Sequence, residues 1–162
     1  MMLQADTQQL AESTVAALTA AGRTLATAES CTGGLIAAAV TEVPGASRVF
    51  RYGWVTYCNE AKENLLHVSA EIIERHTVVS EPVVQAMAVS ARAQAGADYA
   101  LAVSGNAGPT AAPGEPPVGT VCIALATPAA VHSLTLSRPG LSRHDFRLMV
   151  VHEALQLILG EL

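Results

Sequence analysis

The sequence predicts an α/β fold: a single domain built as a three-layer α/β/α sandwich on a mixed sheet. Helical and strand-like stretches alternate along the chain, and two consecutive strands precede a last helix. The length of 162 residues suits one compact core rather than two. A hydrophobic fraction of 51% against a charged fraction of 14% argues for a folded chain, and much of the apolar content is alanine, which lets helices lie close on a sheet.

The elements follow in order. Residues Asp6 to Ala21 read as a helix with Ala11, Val15 and Leu18 on one face and Gly22 as its stop. Thr24-Leu25-Ala26 is strand-like and leads through a Gly-rich turn into a buried helix over residues 35–40. Pro44-Gly45 marks a turn, and Val49 to Cys58, rich in aromatic and β-branched residues, predicts a strand that Gly53 could break. Asn59 reads as the N-cap of a short helix ending at Leu66. Ser69 and Ser80 read as caps of two further helices, the second running over Glu81–Ala95 and stopped by Gly96. Tyr99 to Val103 predicts a short central strand, and residues 104–117 an irregular Gly/Pro loop. Residues 119–126 and 131–136 read as antiparallel strands, and Ser142 starts the final helix, with Phe146, Val150, Ala154 and Leu157 facing the core.

Composition excludes several classes. A net charge of −5 with no basic block and few aromatics makes nucleic acid an unexpected partner. No signal peptide and no apolar run of membrane-spanning length is seen, so no membrane association is expected and the chain reads as cytoplasmic. Cys31, Cys58 and Cys122 are odd in number, form no CxxC pair and read as free thiols. His144 and His152 bring no third ligand, so no metal is expected.

Three features point to chemistry. In the stretch 27–34, TAESCTGG, Ser30 stands between a strand and a helix N-terminus, where backbone N–H groups lack intrahelical partners. Gly33 and Gly34 would let a ligand approach the backbone. The turn reads either as a nucleophile beside oxyanion donors or as an anion-binding turn without catalysis, and Cys31 competes with Ser30 as nucleophile. Lys62 is the single lysine among eight arginines, and an amine can give up a proton where a guanidinium cannot. Tyr57 at a strand end and Lys62 in the next helix could reach one site, or be a core tyrosine and a solvated lysine. The loop at Ser104-Gly105-Asn106-Ala107-Gly108 is a second Gly-rich turn, and Arg143 and Arg147, one helical turn apart, read as a solvated or a phosphate-facing pair.

An ordered set of motifs supports a resemblance: TAESCTGG at 27–34, GWVTYCNEAK ending at Lys62, VSEPVV at 79–84, SGNAGP at 104–109 and PVGTV at 117–121. The chain resembles the C-terminal domain of the competence/damage-inducible protein CinA, a family that also occurs alone as nicotinamide mononucleotide deamidase. The resemblance implies hydrolysis of the carboxamide of nicotinamide mononucleotide to nicotinate mononucleotide and ammonia, without a cofactor. It implies Ser30 as nucleophile, with Tyr57 and Lys62 handling its proton. Thr32, Gly33, Gly34, Ser104, Gly105, Gly108 and Arg143 are then the substrate-binding residues, the last ones toward the phosphate. The expected partner is a small nucleotide, and a homodimer is left open. A non-catalytic nucleotide-binding module and an interaction domain tied to competence or damage response are the alternatives. The chain departs from the family pattern at Cys58, in place of serine; at Asn106, in place of an aliphatic residue; and at Pro116, in place of lysine.

In this reading Lys62 must titrate well below its free value of about 10.4, through burial or nearby positive charge, with Arg143 and helix N-termini as candidate sources. Backbone N–H groups after Ser30 would hold the oxyanion. Glu29 is read as orienting Lys62 or the loop, or as accepting local backbone hydrogen bonds.

Overall fold

In the computed structural model, residues 2–162 are described, with side chains from Gln4 onward. A five-stranded sheet has the order β2-β1-β3-β4-β5, with β1 at Leu25–Glu29, β2 at Phe50–Val55, β3 at Tyr99–Gly105, β4 at Thr120–Ala126 and β5 at Val131–Ser137. Strand β1 runs parallel to both β2 and β3, while β4 pairs antiparallel with both β3 and β5, so the sheet is mixed and β3 is central as its sequence predicts.

The described residues form six α-helices, α1 (Met2–Ala21), α2 (Leu35–Thr41), α3 (Asn59–Leu66), α4 (Ala70–His76), α5 (Glu81–Ala95) and α6 (Arg143–Glu161). Side chains alternate across a strand with period two, and the three inner strands use that alternation to build two different surfaces. Leu101, Val103, Ile123 and Leu125 pack with Leu18 of α1, Ile36 and Val40 of α2, and Phe146, Val150 and Leu155 of α6. The opposite face carries Ala26, Ala28, Ala100, Ala102, Ala124 and Ala126, against which Val83, Val84, Met87, Ala88 and Ala91 of α5 are packed. Alanine on both sides brings α5 close to the sheet, whereas the other face is filled by larger aliphatics. These are the two helical layers of the predicted sandwich.

Register at the start of the sheet is held by Asp98, whose carboxylate accepts from the Thr24 N–H at 2.9 Å, the Thr24 hydroxyl at 3.1 Å and Arg23 at 2.8 Å. That clamp sets Leu25 opposite Tyr99 and carries the pairing to Glu29 opposite Val103. Ser30 and Ser104 are consequently the next residues along two neighbouring parallel strands, at their carboxyl ends. The chain leaves β1 for β2 on one side and returns to β3 on the other, so this is the point where connections diverge and a crevice opens.

Several boundaries differ from the sequence reading. Helix α1 begins at Met2 rather than Asp6. Strand β2 passes through Gly53 without a break; the pairing shifts by one residue between Leu25↔Phe50 and Thr27↔Gly53, a bulge, and a Cβ on Gly53 would lie 3.0 Å from Thr27 Oγ1. It ends at Val55, three residues before Cys58, because the Thr56 N–H bonds to Glu29 O at 2.8 Å and the chain then turns into α3. The N-cap of α3 is Cys58, with Asn59 the first helical residue. Ser69 and Ser142 cap their helices as expected, accepting from the N–H groups of Ile72 and Asp145. Ser80 occupies the N-cap position, but its hydroxyl donates to Thr77 O at 2.8 Å instead. No helix among the described residues is long and apolar enough to cross a membrane.

Candidate active site

At the carboxyl ends of β1 and β3 lies a cavity of about 420 Å³, within the range of roughly 300–1,000 Å³ usual for small-ligand sites. Ser30, Cys31, Tyr57, Lys62, Ser104, Gly105, Gly108 and Arg143 all line it. Residues separated by more than a hundred positions are thus brought to one wall.

Lys62 is the buried amine of this cavity. It is fully buried, at 0% exposure. Its Nζ donates to Ser30 Oγ at 3.0 Å and to Thr56 O at 2.7 Å. Both partners follow from local structure: Thr56 is pinned to the end of β1 through its N–H, and Lys62 lies one turn into α3, where its stem reaches back across that connection. Burial lowers the Lys62 amine to about 8. Of the two causes considered from sequence, burial is the one at work; Arg143 plays no part in it. A buried amine with a carbonyl holding one of its protons and a serine hydroxyl at 3.0 Å has the geometry of a base for that hydroxyl.

Cys31 lines the same cavity but is different in character. Burial pushes its thiol up to about 12, the reverse of the lowering expected from a helix N-terminus. Its Sγ would lie 3.1 Å from a Cβ on Gly105, so Gly105 gives β3 the space to pass the turn after Ser30. Cys31 is therefore a neutral packing group at ordinary pH.

Tyr57 reaches the cavity from a loop rather than a strand end and is 59% exposed. Its hydroxyl accepts from Arg143 Nη2 at 2.7 Å, and Arg143 Nη1 donates to Gly108 O at 2.6 Å. Tyr57 is thus paired with Arg143 across the cavity mouth, while Lys62 contacts Ser30 directly. Ser104 Oγ donates to Val78 O at 2.8 Å.

The Thr32 side chain and the Cα faces of Gly33 and Gly34 are turned to the protein interior rather than to the cavity. Thr32 is fully buried, and its hydroxyl donates to Glu29 at 2.6 Å. Gly33, at φ +59°, has the Arg147 guanidinium 3.2 Å from where a Cβ would be, and Gly34 faces Val55 in the same way. Their open faces are taken by the protein's own side chains. Arg143 and Arg147 are not a pair: Arg147 turns inward and donates from Nε to Cys31 O at 2.9 Å and from Nη2 to Thr32 O at 3.0 Å.

Glu29 neither orients Lys62 nor faces the cavity. Its buried carboxylate accepts from the Thr32 hydroxyl and from the N–H groups of Ile36, at 2.8 Å, and Ala37, at 3.0 Å, capping α2 from the preceding strand. This is the local-acceptor alternative of the sequence reading. Glu29→Ala leaves three donors unpartnered in the interior and is expected to lower stability by about 2–4 kcal/mol, read by urea denaturation. Glu29→Gln, which keeps one acceptor oxygen, should cost less.

Sequence reasoning missed Asn59, Val78, Val79 and Glu115 as cavity residues. Asn59 reads as a helix cap and Val79 as part of the VSEPVV stretch, while Val78 and Glu115 lie outside every quoted motif. Asn106, which departs from the family pattern, closes the loop: its Oδ1 accepts from the Gly108 N–H at 3.2 Å and its Nδ2 donates to Pro116 O at 3.2 Å. An amide here does by hydrogen bonding what an aliphatic residue could do only by packing. No three His, Cys, Asp or Glu side chains among the described residues form a metal-binding group.

The model of the CinA C-terminal domain family matches residues 7–162. The chain belongs to this family. Among CinA relatives, a putative competence-damage inducible protein of Symbiobacterium thermophilum is 60% identical over 105 residues, covering 65% of this chain and 25% of that protein. The nicotinamide-nucleotide amidohydrolase PncC of Escherichia coli K12 is 48% identical over 126 residues, covering 78% of this chain and 76% of PncC. This chain thus spans about a quarter to a third of the CinA-like relatives it matches, and most of PncC. Among solved CinA structures, the competence/damage inducible protein CihA from Agrobacterium tumefaciens superposes with a TM-score of 0.92 at 37% identity, covering 96% of this chain and 94% of that one. A CinA superfamily protein from Escherichia coli gives 0.93 at 31% identity, covering 96% and 90%.

Proposed function

We propose that this chain is an amidohydrolase that converts nicotinamide mononucleotide to nicotinate mononucleotide and ammonia, with Ser30 as the nucleophile. The observation that carries the reading is the hydrogen bond between Ser30 Oγ and a fully buried Lys62 whose amine is lowered to about 8. The likeness to PncC supports the substrate class.

An amide carbonyl is a weak electrophile, so the serine proton must leave as the C–O bond forms. The neutral Lys62 amine, with one N–H held by Thr56 O, turns its lone pair toward Ser30 Oγ and takes that proton. The carbonyl oxygen becomes an oxyanion, for which the backbone N–H groups after Ser30 are the donors; losing one such donor typically costs about 100- to 1,000-fold in rate. Lys62 then gives the proton to the departing nitrogen, the C–N bond breaks, and ammonia leaves an acyl-serine. Water, deprotonated by the same amine, attacks the acyl carbon and restores Ser30. Arg143 at the mouth, still carrying donors beyond those used on Gly108 O and Tyr57, faces the 5′-phosphate.

The deciding experiment is ammonia release from nicotinamide mononucleotide by the purified protein. Binding without ammonia would favour the non-catalytic nucleotide module. The phosphate assignment is tested separately. Nicotinamide riboside should be a much poorer substrate than the mononucleotide, and Arg143→Ala should lose roughly 10- to 100-fold in kcat/KM on the mononucleotide but little on the riboside. Equal turnover of both compounds by the native protein would sink the assignment.

A further inference from the structure

Arg147 grips the turn after Ser30 from α6. It donates to two successive carbonyls, Cys31 O at 2.9 Å and Thr32 O at 3.0 Å, and its guanidinium lies over Gly33, where a Cβ would stand only 3.2 Å away. A trans peptide is planar, so the N–H of each residue points opposite the carbonyl before it. Fixing the Cys31 carbonyl toward Arg147 therefore fixes the Thr32 N–H in the opposite direction. The turn's own backbone bonds run from Gly33 N–H to Ser30 O at 3.0 Å and from Leu35 N–H to Thr32 O at 3.2 Å, and neither uses the Thr32 amide. A cation on a carbonyl oxygen also polarises the peptide, making its N–H a stronger donor. On the other side of the turn, Glu29 holds the Thr32 hydroxyl. The turn is gripped from two directions, by an anion and a cation, with its amides between them.

From this geometry we infer that Arg147 is a positioning residue for acyl transfer: it orients and polarises the peptide between Cys31 and Thr32 so that the amides after Ser30 meet the developing oxyanion. It acts through the backbone, and it differs from Arg143, four residues earlier on α6, whose bonds go to Gly108 and Tyr57 at the mouth. The inference rests on the amidohydrolase reading for its natural reaction, but the nucleophile turn can be probed without the natural substrate.

A fluorophosphonate reports on this directly. Its attack by Ser30 places a phosphoryl oxygen where the oxyanion develops and expels fluoride, and the labelled serine is read by mass spectrometry. Arg147→Ala and Arg147→Lys are compared with the native protein for labelling rate, thermal midpoint, and kcat and KM on nicotinamide mononucleotide. The expected result is a loss of about 10- to 100-fold in both labelling rate and kcat, with KM and the apparent pKa of the pH profile unchanged. Arg147→Lys keeps the charge but cannot span two carbonyls with a planar fork, so it recovers only part of the rate. Low millimolar guanidinium restores rate to Arg147→Ala, and ammonium at the same ionic strength does not. If the alanine variant fails to fold, the lysine variant decides alone. A folded variant that labels at the native rate, or whose loss lies wholly in KM, overturns the inference. Native protein that labels at Ser30 but releases no ammonia sinks the substrate reading while leaving the Arg147 test intact.

Discussion

Ser30→Ala is expected to lower deamidation of nicotinamide mononucleotide by on the order of 10⁴-fold or more, with nucleotide affinity kept within a few-fold. The large effect follows from covalent catalysis: without Oγ no acyl intermediate forms, and oxyanion donors alone leave only a residual rate. The small effect on binding follows from the size and position of the side chain. Ser30 is 8% exposed, whereas the phosphate is assigned to Arg143, an exposed residue of the cavity lining. Rates by ammonia release and affinity by calorimetry separate the two. Cys31→Ala is the control, since a thiol raised to about 12 is protonated at neutral pH and should cost little in rate. Turnover retained in Ser30→Ala and lost in Cys31→Ala would hand the role to the thiol.

Lys62→Arg is the second large effect, a loss of about 100-fold or more in kcat. The guanidinium keeps the charge but not the ability to take a proton, and it is bulkier in a site with no exposure. Lys62→Met, close in length and without charge, guards against a folding failure and should be equally inactive. In the native protein, kcat/KM should rise with pH and level off through an apparent pKa near 8, since the proposed base is the neutral amine. At pH 7 only about a tenth of Lys62 is in that form. Stability carries the same signature. The unfolded lysine holds its proton up to about 10.5 and the folded one only to about 8, so between those values the unfolded state binds more protons and stability rises with pH. Below pH 8 both states are protonated and this contribution is flat at its lower level. Lys62→Met should abolish both the rise in stability and the pH step in rate. Near-native activity in Lys62→Arg would remove Lys62 from proton transfer and leave Tyr57 to be tested.

Much of this site could be read along the chain because its parts are local. A strand running into a Gly-rich turn places Ser30 at a strand end, and a single lysine in an arginine-using chain singles out Lys62. Both inferences need only sequence spacing and side-chain chemistry. The alternation of alanine with larger aliphatics in β3 and β4 is likewise written in the sequence, and it forces two unequal helical layers.

What the chain alone left open is which partner each polar group takes, since that depends on strand order and on where helices land. Spacing let Tyr57 and Lys62 reach one site, and both line the cavity, but α6 delivers Arg143 to the Tyr57 hydroxyl, while the turn after β2 brings Lys62 to Ser30. It paired Arg143 with Arg147 by helical spacing, yet the first meets the loop after β3 and the second the turn after β1. It opened Gly33 and Gly34 to a ligand, and tertiary packing filled those spaces with Arg147 and Val55. The sequence by itself determined most of the elements and singled out Ser30 and Lys62, because each is marked by periodicity, turn residues and chemistry within a few positions. Only the tertiary structure decided the hydrogen-bond partners, because a buried donor takes the acceptor that folding places within about 3 Å, and that is fixed by elements as much as 116 residues apart.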